Sequence, residues 1–286
     1  MRKLLLLFVL SLSITLTSAQ EKKEGWTTKG NFKLLFNQSA FSNWVARGEN
    51  TLAGNVGLNY EFKYSKEKLT WNNKVLASFG LTKSQSTEFT KKTDDRLEYN
   101  SLIGLRAEKN WYYSLIFNFK TQLAKGYKYS KDENGKEIRT EYSNFFSPAS
   151  FLLGPGMLFE KNSNFKLNIA PATTKLIIVD RDFTLPKNAY FGVEEGKDMR
   201  LELGFSASLN YKLKLMENVA MENIFALYAN YLENPENIDL DYTMNIEMKV
   251  NDHISTTLIF QTIYDDNSYK GFQIREVFGF GLNYSF

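Results

Sequence analysis

The chain closes on Val277-Phe278-Gly279-Phe280-Gly281-Leu282-Asn283-Tyr284-Ser285-Phe286. Successive side chains of a strand point to opposite sides, so Phe278, Phe280, Leu282, Tyr284 and Phe286 share one face and Val277, Gly279, Gly281, Asn283 and Ser285 the other. Such a strand is a wall with lipid or core on one side and a small, mostly polar environment on the other. The pattern recurs upstream in longer runs. Leu52, Gly54, Val56, Leu58, Tyr60, Phe62 and Tyr64 alternate with Ala53, Asn55, Gly57, Asn59, Glu61 and Lys63. Leu201 to Leu213 alternates with Arg200 to Lys212, and Ile238 to Val250 with Asp239 to Lys249. Each run exceeds the roughly 9–11 residues that a tilted membrane-crossing strand requires.

The N-terminus favours lipid as the apolar neighbour. Met1-Arg2-Lys3 is a positive n-region, Leu4 to Leu16 an apolar h-region, and Thr17-Ser18-Ala19 a small-residue cleavage site, so residues 1–19 are expected to be a signal peptide and 20–286 the mature domain. The apolar run, broken by Ser11, Ser13 and Thr15, is short against the roughly 20 residues of a spanning helix. With no cysteine, neither disulfides nor a lipidated N-terminal cysteine is available. Loss of Arg2 and Lys3 lowers the formal charge from +3 to +1, which argues against nucleic acid as a partner. Aromatic residues make up 15% of the chain, a surplus suited to girdles at two membrane interfaces.

Reading every alternating run gives about twelve strands, at 27–37, 50–64, 68–83, 95–108, 111–126, 147–160, 164–176, 199–213, 218–231, 238–250, 253–265 and 272–286. The fold class is all-β: a transmembrane antiparallel up-and-down barrel behind a signal peptide, with the even strand number of a single-chain bacterial barrel. Tight turns alternate with long links at 38–49, 84–94, 127–146 and 177–198. With both termini in the periplasm, the long links face outward. Pro148, Pro155 and Pro171 cannot donate to a ladder, so the 147–176 hairpin is expected to carry a bulge or an inward kink.

The inward-facing positions mix charges of both signs: Glu61, Lys63, Lys74, Arg96, Glu98, Arg106, Lys120, Arg200, Glu202, Asp239, Asp241, Glu247 and Lys249. In a small barrel such residues are expected to pair across the lumen and plug it, because a buried charge is costly without a partner. The competing expectation is a narrow polar conduit. Acidic residues gather near the outer ends, and Asp94, Asp95, Asp265 and Asp266 are weak calcium candidates beside the plainer expectation of solvated charges pairing with Lys91, Lys92 and Arg181. His253 is the single histidine and falls in a turn, so histidine-based hydrolysis and imidazole metal sites are not expected. Trp111, Tyr113, Tyr211, Tyr64 and Tyr284 fall near turns as interface anchors. Phe41 and Trp44 lie in the first outer loop, where they would contact lipopolysaccharide or a partner, or fold back to cap the barrel.

Two resemblances follow from particular residues. The spacing of Gly281, Tyr284 and Phe286 resembles the C-terminal signal by which bacterial outer-membrane barrels are recognised by their assembly machinery. The run Asn37-Gln38-Ser39-Ala40-Phe41-Ser42-Asn43-Trp44, then Gly48-Glu49-Asn50, with Lys92-Thr93-Asp94-Asp95, Trp111-Tyr112-Tyr113-Ser114, Gly126-Tyr127, Ser147-Pro148-Ala149 and Tyr264-Asp265-Asp266, resembles a family of Bacteroidota outer-membrane proteins of unknown function, the domain 3078 type. The points span nearly the whole mature chain, with Arg47-Gly48 where the family often has two glycines. The resemblance implies an outer-membrane barrel and carries no activity or catalytic residue. It directs attention to an outer-mouth set of Asn43, Trp44, Glu49, Asp94, Asp95, Tyr264 and Asp265.

The expected role is therefore a non-enzymatic, cofactor-free pore or small-molecule transporter, or the membrane partner of a larger envelope complex. Its surroundings would be outer-membrane lipid and lipopolysaccharide. The alternatives are a barrel hydrolase with a rim site and a soluble periplasmic lipid-binding barrel with a greasy interior and shorter strands.

Overall fold

A computed structural model describes residues 24–42, 48–185 and 189–286. The signal-peptide expectation for 1–19, and Asn43 and Trp44 of the outer-mouth set, lie outside the described residues. The strands are β1 (Gly25–Ser39), β2 (Thr51–Lys66), β3 (Leu69–Ser84), β4 (Lys91–Glu108), β5 (Trp111–Thr121), β6 (Gly126–Lys131), β7 (Glu137–Ser143), β8 (Ala149–Asn162), β9 (Phe165–Ile178), β10 (Met199–Met216), β11 (Val219–Asn230), β12 (Ile238–Lys249), β13 (Ile254–Asp265) and β14 (Tyr269–Ser285). All but β6 and β7 form one closed barrel in the order β1-β14-β13-β12-β11-β10-β9-β8-β5-β4-β3-β2. That makes twelve antiparallel strands with sequential neighbours, as the alternating runs predict.

The strand alternation reports an inverted molecule. Along β10, Leu201 is 66% exposed, Glu202 2% and Leu203 43%. Round the ring the outward face is dominated by large apolar residues and the charged residues enter the lumen, which opposes the greasy-interior alternative. Phe36, Phe225, Phe280 and Leu282 lie on this apolar outer wall. At the turn-bearing end the wall carries aromatic rings in contact: Trp26 with Tyr64 and Trp71 (centroids 5.3 and 5.5 Å), Trp111 with Phe159 (4.9 Å), and Tyr284 with Phe286 (5.9 Å). Two asparagines on the outer wall are sealed in the same way. Asn73 accepts from the Tyr99 hydroxyl (2.7 Å) and Asn223 from the Tyr242 hydroxyl (2.9 Å), each from the next strand. Both amides are therefore satisfied within the apolar wall, where an unpaired polar group is costly.

The proline-bearing hairpin holds its bulges where the sequence places them. The β8–β9 register shifts between Leu153 and Met157, bracketing Pro155, and the β9–β10 register shifts between Gly204 and Ser206, opposite Pro171.

Two expectations need correction. The fifth barrel strand ends at Thr121, and the link expected at 127–146 is a separate β6–β7 hairpin standing beyond the rim. Its chemistry is cation–π and ionic instead of lipid-facing: Arg139 lies between Phe89 (4.8 Å) and Tyr127 (4.4 Å), and Lys91 pairs with Glu137 (2.6 Å). The link expected at 84–94 shrinks to 85–90, because Lys91 already pairs with Thr82. Beside the hairpin, Tyr190 and Val193 pack on Ile177 and Val179 with Tyr142, Phe183 and Phe191, forming an apolar cap on the loop-bearing end.

Candidate functional site

The lumen is the candidate site, and its geometry follows from strand parity. β4, β5, β10 and β11 present even-numbered residues inward, whereas β12, β13 and β14 present odd ones. Charges on strands that are not neighbours therefore face each other across the barrel. Lys120 of β5 meets Asp241 of β12 at 3.0 Å, with four strands between them by the shorter way round. Arg275 of β14 meets Asp94 of β4 at 2.8 Å, and Asn55 donates to the same carboxylate oxygen at 2.9 Å. Gln261 joins the two pairs, donating to Asp241 (2.9 Å) and accepting from Arg275 (3.2 Å). Beside Lys120, Glu98 accepts from Arg96 (2.7 Å), Asn100 (2.7 Å) and Asn118 (3.0 Å). The result is a continuous polar brace across the lumen, toward the loop-bearing ends of β4, β5 and β12.

Below the brace, on the side of the turns and termini, lies a cavity of about 540 Å³. Lys29, Lys33, Lys74, Lys212, Glu61, Glu222 and Glu247 are among its lining residues, and they are paired: Lys29 and Lys74 with Glu61 at 2.8 and 3.6 Å, Lys212 with Glu222 at 3.2 Å, and Lys33 with Glu247 at 3.2 Å. Above the brace, Lys175 reaches Asp239 (3.0 Å) and Glu202 (3.7 Å), while Arg200 binds Glu202 (2.7 Å) and Glu233 (3.1 Å).

Of the expected lumen residues, Glu61, Arg96, Glu98, Lys120, Arg200, Glu202 and Glu247 take part in these pairs. Arg106 stacks on Tyr112 and donates to its hydroxyl (3.1 Å). Lys63 and Lys249 share the inward parity at the turn end but make no ion pair among the described residues. Arg275 and Gln261 were not singled out from the sequence, although counting back from Val277 places Arg275 inward.

Among the described residues, the members of the outer-mouth set lie in separate places. Asp94 is held in the brace. Asp95 is held by Lys92 (2.5 Å) and by the backbone amides of Leu123 (2.6 Å) and Ala124 (3.0 Å). Asp265 and Asp266 instead lie with Asp239, their carboxylate oxygens within 4.8 Å of one another. Tyr264 points to the outer wall, against Phe272 (5.3 Å). Glu49 joins the first loop to the next by accepting from the Ser86 hydroxyl and amide, and those bonds hold its carboxyl below the ordinary range. In the cap, burial raises the Tyr190 phenol, whose hydroxyl donates to the Tyr142 carbonyl (2.6 Å). Gly281, Tyr284 and Phe286 sit on the strand that closes the ring, with Phe286 stacked on Tyr60 (6.1 Å).

Fold and lumen together define a closed antiparallel barrel with an apolar outer wall and a braced polar interior. Residues 36–127 match the family described as a protein of unknown function, DUF3078. The matched stretch carries the Phe41 to Asn50, Lys92 to Asp95 and Trp111 to Ser114 points, while Ser147-Pro148-Ala149 and Tyr264-Asp265-Asp266 fall beyond it. No curated protein matches the chain in sequence.

Among solved structures, the translocator domain of the autotransporter NalP from Neisseria meningitidis is similar with a TM-score of 0.44 and 10% identity, over 100% of this chain and 94% of that one. An outer-membrane channel from Pseudomonas putida F1 gives a TM-score of 0.40 and 11% identity, over 96% and 99%. The outer-membrane channel DcaP of Acinetobacter baumannii gives 0.31 and 9%, over 95% and 100%.

Proposed function

We propose that the protein is an integral outer-membrane channel for small solutes bearing a polar group, its axial path closed at rest by the brace and entered from the periplasmic side through the cavity below it. The reading is non-enzymatic. The observation that carries it is the brace itself: a cavity of about 540 Å³ on the turn side of the lumen, lined by ion pairs and aliphatic side chains, meets ion pairs that cross the lumen between distant strands. A barrel serving only as a lipid-facing scaffold has no need of such a cavity, and a permanently open pore has no need of the brace. Near balance of both signs in the lining supports weak charge selectivity. The outward apolar wall and aromatic rims support lipid and lipopolysaccharide as surroundings, and the closing strand supports handling by the barrel-assembly machinery.

Single-channel recording in planar bilayers tests the reading. The native protein is expected to be silent or to open briefly, and Lys120→Ala combined with Asp241→Ala to give steady openings. A double variant that folds, shown by altered gel migration before and after boiling, yet stays silent would favour the role of membrane partner in an envelope complex.

A further inference from the structure

The ladder that closes the barrel stops halfway. β1 pairs with β14 only from Asn31 opposite Ser285 to Phe36 opposite Phe280, with Gly30 and Phe286 exchanging backbone bonds just below (2.6 and 3.0 Å). On its other flank β1 pairs with β2 through Ser39, and β14 pairs with β13 up to Tyr269. Among the described residues, nothing pairs with the β1-facing edge of β14 from Tyr269 to Gly279.

This stretch belongs to the outer wall, since Phe272, Ile274 and Phe278 are 62%, 68% and 55% exposed. An open edge facing hydrocarbon leaves backbone N–H and C=O groups unsatisfied, so it needs a cover. Glu276 also points outward here and is exposed, and a carboxylate among acyl chains is tolerated only beside polar groups or a gap.

The cover that the register supplies is β1 itself. Continuing the ladder places Asn37 opposite Gly279, Gln38 opposite Phe278 and Ser39 opposite Val277, and β1 is already extended that far. Two contacts flank the seam. The Phe41 amide donates to Asn50 Oδ1 (2.6 Å), folding the end of β1 back onto its own loop. Arg275 is drawn inward to Asp94 and Gln261. Arg275 of the unpaired stretch and Leu35, near the last paired position of β1, both line the cavity, so the seam meets it there.

We infer that the outer half of the β1–β14 seam is a lateral gate between the cavity and the outer leaflet, shut by extending the ladder to Ser39 and open in the arrangement seen here. A path ending in hydrocarbon suits a molecule with a substantial apolar part, such as a single-chain amphiphile with a polar head. The inference rests on the membrane reading above.

The absence of native cysteines makes the test direct. Gln38→Cys with Phe278→Cys is reconstituted in lipid vesicles containing a diazirine-bearing fatty acid, oxidised with diamide, illuminated and mapped by peptide mass. The expected result is a disulfide, with labelling of lumen-facing Leu35 and Leu76 reduced at least fivefold on oxidation and restored by dithiothreitol. Outward-facing Leu203 and Phe225 should be labelled in both states. Failure to cross-link, lumen labelling unchanged by the disulfide, or lumen residues never labelled while Leu203 and Phe225 are, would each overturn the gate. Loss of labelling at Leu203 and Phe225 as well would instead overturn the membrane reading. Ser39→Cys with Val277→Cys repeats the test from the lumen side should the first pair not fold.

Discussion

At the scale of single residues, closure of the ring depends on how near two backbones can come. A β-carbon at Gly281 would overlap the carbonyl oxygen of Leu34 and crowd the Leu35 backbone, whereas one at Gly57 would meet nothing. Gly281→Val is expected to push the seam apart, at about 1–3 kcal/mol for overpacking. Thermal melts and heat-dependent gel migration check this, with Gly57→Ala as the near-neutral control. The sequence marks Gly281 as part of a terminal signal and puts it on the inward face, but the Leu34 carbonyl comes from the far end of the chain and leaves no trace in local spacing. Arg275 shows the same limit. Its face is legible by counting back from Val277, while its partner Asp94 is not, because opposition across a lumen depends on strand number and stagger.

At the scale of elements, the barrel strands announce themselves because an apolar outer wall on one face and a polar lumen on the other impose a strict two-residue period. The β6–β7 hairpin has neither surrounding, and its faces are filled by Lys, Arg and Tyr in mixed order, so its residues read as loop. The cap beside it depends on Tyr190, whose phenol is raised by burial and donates to the Tyr142 carbonyl. A group that favours its protonated form in the folded state contributes fully below its unfolded pKa, about 10 for tyrosine, and loses that contribution as pH rises through the folded value. The cap is therefore expected to loosen only in strong alkali, with Tyr190→Phe removing this pH dependence. Limited proteolysis within 179–198 as a function of pH reads the effect.

At the scale of the whole molecule, strand number, closure and the inverted wall were all legible, since each follows from alternation and turn spacing. The brace was legible only as a set of inward charges: parity shows which residues enter the lumen, and the ring must be closed before it is known which of them meet. Orientation is the expectation most open to direct measurement. In intact cells, Glu195→Cys in a loop is expected to react with a membrane-impermeant maleimide, and Ser163→Cys in a tight turn only after the envelope is broken; the reverse pattern would invert the barrel. The β6–β7 hairpin has a further consequence at this scale. Its two strands pair only with each other, and its tip closes on bonds between Asp132 and Lys136 around Gly135. A foreign peptide grafted there would extend a ribbon that forms no part of the barrel wall, so under the proposed outward orientation the hairpin would display epitopes on the cell surface.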